Sequence, residues 1–321
     1  MPKLRKEILL NRFPLKHMFD AAATAKIVLK GDIYEQRPLS FAKRLDCVKF
    51  YFDAAGVERL HAMLPRTGSH WSELGIALSI NLANGGDGEY RFIDDLYVPT
   101  DGIHLRRLDW RVPMGRTEEM YRTRLGEDTV GTHHYYHSRH PYFRIRSGRL
   151  KKMRIAILTR SIVTSLAARY LKHARDPDDL GIIREGEDVM NWDWFLTQSI
   201  EFYNSWGDVL QWHPNCRLYR YEEMLQDPVG GHKDLLDFWG FDVPEECIAE
   251  AFSRITPEEM KKRIPEVQRD RNYRVATPID DPKRWMPDHR LHPIVDRINR
   301  ELVHDFGYSY SYDTDYNLDQ L

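Results

Sequence analysis

Cysteine is scarce in this sequence: there are three among 321 residues, Cys47, Cys216 and Cys247. An odd number with no close spacing excludes a disulfide framework and a zinc ligand set. The thiols are therefore expected to be buried or partly buried in a reducing compartment. Long apolar runs are missing too, and none approaches the roughly 20 residues that span a bilayer. Residues 1–19 carry Lys3, Arg5 and Lys6, then only Ile8, Leu9 and Leu10 before Asn11 and Arg12. That run is too short for a signal peptide. A cytoplasmic chain without a transmembrane segment is expected. Ile8, Leu9, Phe13 and Phe19 leave peripheral membrane contact open, although docking on the protein body is the expected arrangement. Neither sign of charge is in excess: 47 Lys and Arg stand against 49 Asp and Glu, a net charge of −2. This argues against a general nucleic-acid partner. No internal repeat or low-complexity linker divides the chain, so a single domain over residues 1–321 is expected, with a helical N-terminal extension at 1–45. Nothing in the sequence fixes an oligomeric state.

The composition, 42% hydrophobic and 30% charged, is that of a globular protein. Its most telling stretch is Met63-Leu64-Pro65-Arg66-Thr67-Gly68-Ser69-His70-Trp71. It follows a short apolar run at 57–64 and precedes an apolar-rich one at 74–82, an order that predicts strand, tight turn, helix. Small residues at a helix N-terminus aim several backbone N–H groups at one point, and the helix dipole adds partial positive charge there. Arg66 adds a full charge and Ser69 a hydroxyl. The local chemistry is that of a phosphate cradle. It is not the nucleotide-kinase loop, which needs two glycines and a Gly-Lys-Ser/Thr ending.

Downstream, strands and helices alternate. Asn84-Gly85-Gly86-Asp87-Gly88 is a turn cluster. Residues 91–99 form a strand or part of an irregular insert. The arginine-rich stretch 101–124 reads as a long surface loop with a short helix, the start of an insert at 101–150 of the kind that shapes binding sites. Strands are expected at 128–136, 153–159 and 217–221, the second with the dense apolar centre of a buried parallel strand. Helices are expected at 161–173, 188–212, 234–239 and 245–252. A last helix carries Leu291, Ile294, Val295, Ile298, Leu302 and Phe306 at helical spacing, with Gly307 as its cap. The sum is an α/β fold, a central parallel sheet flanked by helices.

Three constellations in this order resemble the sulfotransferases. Pro65-Arg66-Thr67-Gly68-Ser69-His70-Trp71 is similar to the family's 5′-phosphosulfate loop, usually Pro-Lys/Arg-Ser-Gly-Thr-Thr-Trp. Arg160, at the end of the 153–159 strand, stands where the family has an arginine in a segment like Arg-Asp-Pro-x-Asp-x-x-x-Ser-x-Tyr; that arginine and serine contact the donor's 3′-phosphate. Here the segment runs Arg160-Ser161-Ile162-Val163-Thr164-Ser165-Leu166-Ala167-Ala168-Arg169-Tyr170. The Asp-Pro pair is missing and Ala168 replaces the serine, with Ser165 or Ser161 as substitutes. Tyr221-Glu222-Glu223-Met224, followed by Asp227-Pro228, resembles the family's Tyr-Glu-Asp-Leu/Met and Asp-Pro, whose tyrosine lies by the adenine and ribose. Thr256 matches a threonine near the adenosine. Arg274 and Arg284 stand in for an absent Arg-Lys-Gly, with solvated surface charge as the alternative for each.

The resemblance implies a P-loop NTPase-like sulfotransferase fold. The reaction would be sulfuryl transfer from 3′-phosphoadenosine 5′-phosphosulfate to a hydroxyl, or alternatively an amine, of an acceptor, with adenosine 3′,5′-bisphosphate as product and no metal. Donor contacts would come from Arg66, Thr67, Gly68, Ser69, His70, Trp71, Arg160, Ser165, Tyr221, Thr256 and Arg274. Arg66, always protonated, would act as an electrostatic clamp. His133, in Val130-Gly131-Thr132-His133, is similar to the family's Lys-Thr-His base; Glu73 is its rival. The arginines at 106–124 and 139–154, interleaved with aromatics, point to a carbohydrate or glycoconjugate acceptor, with a small aromatic or alkaloid-like acceptor as the alternative. A nucleotide kinase, or a nucleotide-binding protein that has lost catalysis, stays open.

Overall fold

The structure, a computed structural model, describes residues 59–64, 67–93, 96–99, 105–107, 130–134, 153–175, 192–263 and 288–312. For 69, 70, 91–93, 96–99, 105–107, 130–134, 171–175 and 261 it describes the backbone alone. All of these residues fall in one compact unit, 56–136 with 153–321.

Strand β1 (Arg59–Met63) is buried along its whole length and leads through a turn into helix α1 (Ser69–Ala83). A hairpin follows, β2 (Tyr90–Ile93) antiparallel to β3 (Leu96–Pro99). Next come β4 (Leu105–Arg107), β5 (Val130–His134), β6 (Arg154–Thr159) and the helices α2 (Ile162–Arg175) and α3 (Trp192–Trp212). Strand β7 (Cys216–Arg220) runs directly into α4 (Tyr221–Gln226), and α5 (Pro228–Trp239), α6 (Glu245–Arg254), α7 (Pro257–Lys262) and α8 (Asp288–Glu301) complete the described elements.

The main sheet has the order β4-β5-β1-β6-β7, and every neighbouring pair is parallel. Met63 lies opposite His134 on one side and Leu158 on the other. In β6, Ala156 and Leu158 join the apolar cluster formed with α1, α5 and α6. The alternate residues Ile155, Ile157 and Thr159 are just as completely buried. A strand buried on both faces needs helices on both faces. Helix α5 packs against β6 and α3 against β7, while α8 packs on α2 and α3. The expected α/β architecture, a parallel sheet flanked by helices, is the one observed.

Five local expectations differ, one of them the helix expected at 234–239, which starts six residues earlier as α5 (Pro228–Trp239) with Pro228 in its first turn. Residues 105–107 form an edge strand beside β5, where a loop with a short helix is expected; main-chain pairing with β5 overrides the polar composition. Residues 91–99 split into the β2–β3 hairpin. Tyr221 opens α4 instead of closing β7. The last helix stops at Glu301, well short of Gly307. There Asn204 of α3 donates to the Glu301 carbonyl (2.9 Å) and accepts from Val303 N–H (2.7 Å). A side chain from another helix thus satisfies the last carbonyl of the helix and the N–H that follows it. Cys216 and Cys247 are free, partly buried thiols.

Candidate functional site

In a parallel sheet all strand C-termini open on one edge, and ligands bind where neighbouring connections leave in opposite directions. The chain leaves β1 toward β4 and β5, and leaves β6 toward β7. The switch point therefore lies between the ends of β1 and β6, flanked by the turn before α1 and by Arg160–Ser161.

The turn is tightly determined. Thr67 is fully buried, and its hydroxyl and N–H both donate to the Leu64 carbonyl, at 2.6 and 3.3 Å. Its side chain fastens the turn. Gly68 follows at φ +80, a left-handed conformation that favours glycine. A Cβ there would lie 2.1 Å from Cε2 of Tyr221, so the aromatic ring occupies the space that any other residue would need. The backbone of Ser69 and His70 starts the 15-residue α1, whose first turn has no acidic residue and no side-chain cap from Gly68. The backbone donors of that turn carry the positive end of the helix dipole. Trp71 is half-buried, edge-on to Tyr221 (5.9 Å), His232 (5.1 Å) and Phe252 (4.9 Å).

Tyr221 joins this turn to the second constellation. The guanidinium of Arg160 lies 5.0 Å from the centroid of the Tyr221 ring, a cation–π contact for a side chain that is only 5% exposed. The Ser161 hydroxyl beside it is buried and has no hydrogen-bond partner among the described residues, an expensive state for a polar group without a ligand. Ser165 and Ala168 are both buried in α2. Thr256 accepts from Glu259 N–H at 3.3 Å and so caps α7.

Beneath the turn, His232 Nδ1 donates to the Pro228 carbonyl (2.8 Å), which leaves Nε2 to accept from the Ser72 hydroxyl (3.1 Å). Burial lowers the His232 pKa to about 4, so the ring is neutral near pH 7. The sequence gives no signal for this pair.

Of the other expected site residues, Arg66 and Arg274 lie outside the described residues, as does the side chain of His133. The His133 backbone pairs with Ala62 one residue from the end of β1, at the same sheet edge as the turn. Glu73 is half-buried on α1. No helix among the described residues is long and apolar enough to cross a membrane.

No family model matches the sequence, and no curated protein does. Solved structures do. Mouse sulfotransferase SULT7A1 complexed with PAP (adenosine 3′,5′-bisphosphate) is similar with a TM-score of 0.52 and 16% identity, over 79% of this chain and 89% of that one. Retinol dehydratase in a complex with retinol and PAP is similar with a TM-score of 0.51 and 16% identity, over 81% and 88%. Retinol dehydratase with androsterone and PAP gives 0.50 and 14%, over 82% and 88%. At such identities the likeness is one of fold: this chain carries the sulfotransferase fold.

Proposed function

We propose that the protein is a sulfotransferase that moves a sulfuryl group from 3′-phosphoadenosine 5′-phosphosulfate to an acceptor hydroxyl. The observation that carries this reading is the Tyr221 ring, which lies against Gly68 of the turn and against the Arg160 guanidinium. Three motifs far apart in sequence meet at one aromatic ring at the sheet's switch point. A nucleotide complexed with proteins of the same fold supports the donor assignment: SULT7A1 and retinol dehydratase are both complexed with PAP.

The residues present fit such a donor. The backbone donors at the start of α1 and the Arg66 side chain would bind the 5′ group. Tyr221, buried against Gly68 and Arg160, is the tyrosine that would border the adenine and ribose. Arg160 and the buried Ser161 hydroxyl would bind the 3′-phosphate, Ser161 taking over from the serine that Ala168 replaces. The bound donor supplies the sulfuryl group and a phosphate leaving group. Arg66 would offset the charge growing on the leaving oxygen, which is where electrostatic preorganisation contributes most. His133, or Glu73 in its place, would accept the acceptor's proton.

Calorimetric titration with adenosine 3′,5′-bisphosphate, against ATP and ADP without magnesium, tests the donor assignment. Binding of the bisphosphate at least about tenfold tighter than ATP is expected, a difference of about 1.4 kcal/mol; a preference for ATP favours a kinase. Arg66→Ala is expected to lower turnover about 100-fold or more while the protein stays folded, and unchanged turnover refutes the role given to Arg66.

For the acceptor, the arginine and aromatic residues of 106–124 and 139–154 favour a carbohydrate or glycoconjugate. The retinol and androsterone complexes of a protein with this fold favour a small, largely apolar alcohol instead. A turnover screen with saccharides, phenols and sterols decides: turnover of the simple alcohols alone sinks the first reading.

A further inference from the structure

The junction between β6 and α2 is held by groups from three distant parts of the chain. The Tyr203 hydroxyl of α3 accepts from Arg160 N–H (3.3 Å) and donates to the Arg160 carbonyl. Ser161 N–H donates to Oε1 of Glu222 (3.1 Å), and Ile162 N–H to the Tyr310 hydroxyl (3.2 Å). The second carboxylate oxygen of Glu222 accepts from the Tyr308 hydroxyl (2.7 Å), which also lies 3.4 Å from Oγ1 of Thr159. Four successive residues, 159–162, are therefore each tied to a partner outside their own strand and helix.

The segment that delivers Tyr308 and Tyr310 is itself over-determined. Phe306 has φ 54, an uncommon conformation for a bulky residue that persists only where its surroundings enforce it. Its ring packs 5.1 Å from that of Tyr203. The next residue, Gly307, accepts from Nη1 of Arg220 (3.5 Å), and the Arg220 guanidinium lies 5.9 Å from the centroid of the Tyr308 ring. The residue next to Glu222 is Tyr221, whose ring meets both Gly68 and Arg160. One short element thus sets the positions of the aromatic face and of the Arg160–Ser161 peptide.

The N-terminal N–H groups of a helix are the usual donors to a bound anion. At the entry to α2 the N–H groups of Ser161 and Ile162 already donate to Glu222 and Tyr310, so at residues 160–162 an anion would meet side chains: the Arg160 guanidinium and the Ser161 hydroxyl. Their directions depend on how the peptide between them is held.

We infer that Glu222 and Tyr308 are positioning residues of the donor site. They hold the Arg160–Ser161 peptide so that its guanidinium and hydroxyl select a nucleotide with a ribose 3′-phosphate. The inference rests on the reading of Arg160 and Ser161 as donor contacts. It makes residues 302–312, which the sequence motifs leave without a role, part of the selectivity for the donor.

The test is calorimetry on the full chain with two probes, adenosine 3′,5′-bisphosphate and adenosine 5′-monophosphate, alongside thermal melts. Tyr308→Phe removes the donor to Glu222. Glu222→Gln keeps an acceptor for Ser161 N–H, disturbs the pairing with Tyr308, and guards against a fold lost in the first variant. Each is expected to lower the preference for the bisphosphate about fivefold, the worth of roughly one hydrogen bond, and to leave the monophosphate within about twofold. A purely structural role predicts a lower melting temperature with the preference unchanged, or equal weakening of both probes, and either result overturns the inference. Wild-type protein that binds the two probes equally overturns the assignment of Arg160 and Ser161 to a 3′-phosphate and the inference with it, whereas an intact wild-type preference that the variants keep overturns the inference alone. Wild-type protein that binds neither overturns the proposed function and this inference with it.

Discussion

The His232 imidazole is enclosed by Trp71, Phe252 and the Ser72 hydroxyl, and burial lowers its pKa to about 4 from an ordinary 6.5. Between those two values the unfolded chain binds a proton that the folded chain refuses. Stability is therefore full above pH 6.5 and falls as pH drops toward 4, by up to about 3 kcal/mol from this group. Urea unfolding at pH 7 and pH 5 is expected to show His232→Gln less stable than wild type at pH 7. The loss between the two pH values should be smaller in the variant by about 2 kcal/mol. Parallel pH dependences would assign the acid sensitivity to other groups. His232 also marks a limit of the sequence. Gly68, Arg160 and Tyr221 are legible because each sits in a local motif whose backbone demands or spacing can be recognised. His232 meets Ser72 across 160 positions, and Tyr308 meets Glu222 across 86. No spacing rule connects such pairs until the fold is known.

At the scale of elements, α1 and α6 pack closely because Gly75 has no side chain. A Cβ there would lie 2.1 Å from Cζ of Phe252, whose ring is confined by Trp71 and His232 at 4.9 and 4.3 Å. Helix propensity alone makes Gly75→Ala stabilising by about 1 kcal/mol. Overpacking a confined ring costs about 1–3 kcal/mol. The second effect wins, and a net loss of about 1 kcal/mol is expected in urea unfolding. In a Phe252→Ala background the same change should be neutral or stabilising; a loss of equal size there would mean that the ring is not the obstacle. β1, β6 and α1 are legible in the sequence because their apolar pattern is local and nearly complete. The edge strand β4 and the end of α8 are not. A three-residue strand takes its identity from β5, and α8 ends where Asn204 of another helix meets it. Its apolar spacing runs on through Leu302 and Phe306, and only the tertiary contact stops the helix.

Taken whole, the molecule assembles its candidate site from the turn after β1, the end of β6, the start of α4 and the segment after α8, elements distant in sequence that meet at one edge of the sheet. A ligand bridging them should therefore stabilise the whole described unit. At a concentration about 100 times its dissociation constant, a ligand specific for the folded state adds about 2.7 kcal/mol. In a unit of this size that raises the melting temperature by roughly 5–10 °C. Adenosine 3′,5′-bisphosphate is expected to give such a shift, and adenosine 5′-monophosphate at the same concentration a smaller one. Arg160→Ala tests whether the shift arises at this edge. Arg160 is buried against Tyr221, so the variant melts lower without ligand, and the informative quantity is the ligand-induced increment. Truncation removes the charged group proposed to meet the 3′-phosphate and leaves the start of α1 in place. The bisphosphate increment should then fall to about that of the monophosphate, because loss of a charge-assisted contact of about 2–3 kcal/mol weakens binding by roughly 30- to 150-fold. An increment that survives in full would put the nucleotide at another edge of the sheet and separate the sulfotransferase fold of this chain from the proposed site.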